Sequence, residues 1–87
     1  MTDAELLERV KTSLGLQGND FHNDTLNIYI EDVRHFMKSS GVSDEVLDSS
    51  ASVGVICRGV ADCWNYGAGT ASFSDIFKLR VLQLREE

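Results

Sequence analysis

Between Val53 and Tyr66 the chain reads VGVICRGVADCWNY, its one long segment that stays apolar around most of its circumference. Val53, Ile56, Cys57, Val60 and Trp64 recur at steps of three and four, the spacing of a helix face turned to a core. Val55, Ala61, Cys63 and Tyr66 put further apolar atoms on the other faces, so this helix has to be covered from several sides. Gly54 and Gly59 each cost about 1 kcal/mol relative to alanine inside a helix. Their presence predicts points where a neighbouring backbone approaches closely.

The flanking segments supply the cover. Thr2-Asp3-Ala4-Glu5 fits a capping box and predicts a helix from about Asp3, with a stripe of Leu6, Leu7, Val10 and Leu14 and an end at Gly15. Residues 15–23 read as a polar linker whose Leu16 and Phe21 fold back onto the core, and Asn23 or Asp24 caps the next helix. Its stripe is Leu26, Tyr29, Ile30, Val33, Phe36 and Met37, and Ser39-Ser40-Gly41 stops it. Glu31, Asp32, Arg34 and Lys38 take the solvated side. Ser43, two acids and a Val42 to Leu47 staple then predict a short helical turn ending near Asp48.

After the apolar helix, Gly67-Ala68-Gly69-Thr70 is a stop, and Ser72 or Ser74 caps a last helix from about Asp75 to Arg85. Phe73, Ile76, Phe77, Val81 and Leu84 share one side of it, while Leu79 and Leu82 face another. One set serves the core and the other a partner subunit. The run Phe77 to Val81 also alternates, which leaves a strand open as a second reading.

Together these signals predict an all-α chain: one domain spanning residues 1–87, a small bundle of about four helices around one central apolar helix. The absence of proline agrees with it. No apolar run reaches the roughly 18–20 residues of a membrane span, and no N-terminal segment reads as a signal peptide, so folding in a cytoplasm is the expectation. The net charge of −6 is placed unevenly: residues 1–50 carry ten acids against four bases, residues 51–87 four of each. An acidic surface disfavours gripping DNA, whose affinity comes from cations neutralising phosphates, but suits a wall past which a duplex moves.

No constellation of catalytic type is present. His22 and His35 are too far apart in sequence for a helical metal pair, and the Asn19-Asp20-Asn23-Asp24 run lacks the glycine and glutamate of a calcium loop. Neither glycine-containing run closes with the lysine and hydroxyl of a phosphate loop, and neither cysteine has a neighbouring base. Cys57 and Cys63 are about 9 Å apart along a helix axis, too far for a disulfide, and read as small core residues. The expectation is a protein that is not an enzyme, with no cofactor and no metal. Lys78, Arg80 and Arg85 form a weak basic cluster that suits a rim or subunit contact. Trp64-Asn65-Tyr66-Gly67 is either a core plug or an interface anchor, tryptophan and tyrosine being favoured interface residues. Trp64, Tyr66, Phe73, Leu79 and Leu82 are the candidate subunit or partner contacts.

The run LLERVKTSLGL, then DTLNIYIEDVRHFMKSSGV, then a small-residue apolar helix ending in CWNYGAG, and finally FSDIFKLRVLQLRE resembles the small phage head-tail connector proteins, also called head-completion or adaptor proteins. The resemblance lies in helix order, spacing and terminal signals over nearly the whole chain. It implies a virion protein of a tailed phage or prophage, assembled in the bacterial cytoplasm. There, a homo-oligomeric ring at the head-tail junction sits beneath the portal protein, extends the DNA conduit and docks a downstream connector or tail protein. DNA passes through without specific binding. The alternative is a small helical DNA-binding regulator.

Overall fold

Local chemical signals set several of the helix ends. In the computed structural model, which describes residues 1–67 and 73–86, the elements are α1 (Asp3–Ser13), α2 (Asn23–Ser39), α3 (Asp44–Leu47), a 3-10 turn (Ser50–Ser52), α4 (Val53–Tyr66) and α5 (Asp75–Arg85). At the start of α1, the Glu5 amide donates to Thr2 Oγ1 and the Thr2 amide to Glu5 Oε1, both at 3.1 Å. Two helices end in the same way. Gly15 after α1 and Gly41 after α2 take positive φ (74° and 102°), and the next residue's amide reaches back, Leu16 to the Lys11 carbonyl and Val42 to that of Met37. Leu16 and Val42 are thereby drawn in against the core.

The chain is all-α, and its buried side chains form one cluster with α4 at the centre. Leu6 and Val10 of α1, Leu26, Ile30, Val33 and Met37 of α2, and Phe77, Val81 and Leu84 of α5 surround Val55, Ile56, Val60 and Cys63. Trp64 and Cys57 pack at its margin, and both cysteines are thiols. Val42 before α3 and Leu47 at its end close the cluster, and the Val46 amide donates to Ser43 Oγ as expected of its cap. Ser52 is buried because its hydroxyl donates to the Leu47 carbonyl at 2.8 Å, tying the turn before α4 to α3.

Gly59 marks a tight crossing in the core. A Cβ there would lie 2.6 Å from Phe77 Cε1 and 2.8 and 2.9 Å from the two Val33 methyls, so α2 and α5 converge on α4 through side chains rather than through a backbone contact. Gly54 departs from the expectation altogether. It faces open space at the first turn of α4, where an added Cβ would meet nothing within 4 Å.

Other expectations also need correction. Phe21 does not fold back but is 87% exposed. Neither Asn23 nor Asp24 caps α2: the N-cap position is His22, without a side-chain hydrogen bond. Asn23 is instead the first residue of the helix, its Nδ2 donating to Asp20 Oδ1 at 3.4 Å while its buried Oδ1 has no hydrogen-bond partner among the described residues, and the His22 ring is held edge-on by Trp64. The last segment is a helix and not a strand, started by Ser74 Oγ accepting from the Phe77 amide. The stop signals Ala68, Gly69 and Thr70 and the candidate cap Ser72 lie outside the described residues.

Lys11 is the one lysine inside the bundle, 1% exposed, its stem covering apolar surface and its ammonium donating to Asp20 Oδ1 at 2.8 Å. That hydrogen bond, then the lysine's charge, holds the Asp20 carboxyl below its ordinary value. A native value below the unfolded one means the pair stabilises the fold above the ordinary carboxylate range and ceases to as the pH falls through the native value. Asp20→Asn should therefore weaken the chain at neutral pH, with the difference from the parent shrinking toward zero under strong acid. Urea melts across that range check it; a pH-independent difference would mean the ion pair is not its source.

Candidate assembly surfaces

The best-defined surface is built on α5, and its position is fixed from α4. Asp62 is 3% exposed, and its Oδ2 accepts from the Ser74 amide at 3.0 Å and from the Ser74 hydroxyl at 2.9 Å. The same hydroxyl oxygen accepts from the Phe77 amide at 3.2 Å. A carboxylate at the head of a helix also meets the positive end of its dipole. This chain of bonds sets both where α5 starts and how it is rotated.

With that rotation, Phe77, Val81 and Leu84 enter the core and the opposite side carries Ile76 (61% exposed), Leu79 (57%) and Leu82 (45%). The three follow one another at steps of three, a single slanting apolar row. Lys78 and Arg80 stand exposed on its two flanks. Leu79 and Leu82 are thus on the outer side, as read from the wheel. Ile76 is not on the core side and belongs to the outer row.

Phe73 is corrected in the other direction. It is 5% exposed, its ring 4.9 Å from Phe36 and 4.6 Å from Phe77, so it serves the subunit's own core and has no face left for a partner. Trp64 is intermediate: packed against the core, it also meets the His22 ring edge-on at 4.9 Å, and His22 meets Phe21 in the same manner. The ladder runs outward from the core to a fully presented Phe21. Tyr66, at the end of α4, is 74% exposed. The structure therefore does not gather the five candidate residues into one patch.

A second surface lies on α2. Opposite its buried stripe, Ile28 is 58% exposed, with Asp24 one turn before it and Glu31 and Asp32 on either side one turn after. Among the described residues, none of these three acids makes a side-chain hydrogen bond or an ion pair, and neither do Lys78 and Arg80. Other charges are committed: Arg34 reaches Asp48 at 2.8 Å and Asp3 at 3.6 Å, and Lys38 reaches Asp44 at 3.1 Å.

Between α1 and α2 an open groove of about 490 Å³ is lined by Asp3, Leu6, Asn27, Ile30, Glu31 and Arg34. Its only cation is the Arg34 already held by two carboxylates. Among the described residues no three histidine, cysteine or acidic side chains gather as a metal site would require. No helix among them is long and apolar enough to cross a membrane.

Comparison with protein-family models, with curated proteins and with solved structures finds no match. The surfaces themselves are then what bears on function. Sequence reasoning placed Leu79 and Leu82 on the outer side, where they are exposed, but put Ile76 on the core side and did not single out Ile28. Ile28 was detectable as the one large apolar residue on the acidic side of α2. Asp62 carried no readable signal, because its partner Ser74 comes twelve residues later, across the end of α4.

Proposed function

We propose that this chain is a structural subunit of a tailed phage or prophage, acting as one copy of a ring at the head-tail junction. The observation that carries the reading is the two-faced α5: one side completes the core, the other presents Ile76, Leu79 and Leu82 to solvent. A soluble monomer has little use for such a row, whereas a ring subunit needs apolar surface for its neighbours. The helix order and terminal runs that resemble head-tail connectors supply the phage assignment. The acidic excess of residues 1–50, ten acids against four bases, suits a conduit through which DNA slides without being held.

The test is the mass and electron-microscope image of the purified protein, alone and mixed with the portal protein of the same genome. Rings are expected, and Leu79→Glu combined with Leu82→Glu should abolish them with helical content and melting temperature unchanged. A chain that stays monomeric in both settings overturns the reading. Duplex DNA binding with a steep salt slope would point to a DNA-binding regulator instead.

A further inference from the structure

We infer that neighbouring copies join head to tail, the outer row of α5 on one copy lying against the outer face of α2 on the next. The contact is specified by charge as well as by apolar surface. On α5, Lys78 and Arg80 flank the row of Ile76, Leu79 and Leu82; on α2, Glu31 and Asp32 flank Ile28. Each set is exposed, neither makes an ion pair among the described residues of its own subunit, and the two are opposite in sign. Complementary flanks around apolar centres fix register and exclude wrong partners.

The alternatives within one chain type are less favourable. Two α5 rows facing each other would oppose Lys78 and Arg80 to their own kind, and two α2 faces would oppose Glu31 and Asp32 likewise. Asp75 and Glu86 stand at the two ends of the α5 row, Glu86 3.8 Å from Arg85, and they leave the central cations in charge of its middle. On α2, His35 lies two turns beyond Ile28 and adds no acid. A contact between two different patches is heterologous, and repeats into a ring or a filament rather than stopping at a dimer. The inference rests on the self-assembly part of the reading above, and names which surfaces carry it.

Two full-length charge-reversed chains test it: Lys78→Glu with Arg80→Glu, and Glu31→Lys with Asp32→Lys. All four positions are exposed, so circular dichroism and thermal melts should match the parent. By sedimentation velocity at low salt, each reversed chain alone should associate at least about tenfold more weakly than the parent. An equimolar mixture of the two should recover association, because in an alternating array every contact again pairs opposite charges. The chain carrying all four substitutions should recover it as well. Parent-like association of either reversed chain alone, or failure of both the mixture and the fourfold variant to recover, overturns the inference and leaves the ring reading standing. A parent chain that never self-associates, alone or with portal protein, removes both.

Discussion

Gly59→Ala should lower the melting temperature and Gly54→Ala should raise it, although both glycines sit in the same helix and the substitution is the same. At position 54 the new methyl enters open space. The chain then gains up to about 1 kcal/mol of helix propensity, somewhat less so near the helix start. At position 59 the methyl would come within 2.6 Å of the Phe77 ring and 2.9 Å or less of both Val33 methyls. Neither neighbour can withdraw: Val33 is fully buried, and the Phe77 ring is backed by Phe36 and Phe73, with centroids 5.7 and 4.6 Å away. Overpacking of this kind costs about 1–3 kcal/mol, which set against a propensity gain of about 1 leaves a net loss of up to about 2 kcal/mol.

Gly59→Val should lose about 3 kcal/mol or more, since the added branches meet the same walls. That is a large share of the roughly 5–10 kcal/mol expected for a chain of this size. In a domain this small each kcal/mol moves the melting temperature by about 4–8 °C, so thermal melts resolve all three variants. Phe77→Leu should restore part of the loss in the Gly59→Ala background, and a double-mutant cycle measures that coupling. Equal and parallel shifts at the two glycines would mean that α5 does not bear on α4 where it is described.

Much of this architecture was legible because it is local. Thr2 and Glu5, Ser43 and Val46, and the glycines that follow α1 and α2 act within a few residues of themselves, so their chemistry shows in the sequence. The apolar period of α2 named its core face for the same reason, whereas that of α4 named Val53, Ile56 and Val60 but also Cys57 and Trp64, which lie at the margin, and set aside Val55 and Cys63, which are fully buried. What escaped was decided across the bundle. Whether a glycine is crowded depends on which helix crosses it, and nothing adjacent to Gly54 or Gly59 distinguishes them. Ile76 lies at the border of the α5 core face, and only the rotation set by Asp62 assigns it to solvent. Lys11 reads as a surface residue until the linker folds Asp20 back over its ammonium. Of the five candidate interface residues, Leu79 and Leu82 are presented outward together with Ile76, while Phe73 is turned inward by Phe36 and Phe77.

Because one buried carboxylate controls that rotation, Asp62→Ala should cost about 2–3 kcal/mol and should act first on α5. The substitution removes the acceptor for both the Ser74 amide and the Ser74 hydroxyl. Hydrogen bonds to a charged group contribute about 1.5–3 kcal/mol each. Ser74 is only partly buried, so water takes over some of what is lost. Arg58, with Nε 3.8 Å from Asp62 Oδ1, is half exposed and adds little. Asp62→Asn keeps an acceptor and should be milder. Ser74→Ala removes the matching donor together with the cap of Phe77, so the Asp62/Ser74 double-mutant cycle should show strong coupling. Hydrogen exchange separates this from a general loss of stability: amides at the start of α5, Phe77 first, should lose protection more than those in the middle of α2. If self-association runs through the outer row of α5, it should weaken in Asp62→Ala under conditions where the chain is still folded, even though residue 62 lies inside the subunit and touches no neighbour. Uniform loss of protection across α2 and α5 would instead make Asp62 a support of the whole core, with no particular hold on the surface that α5 presents.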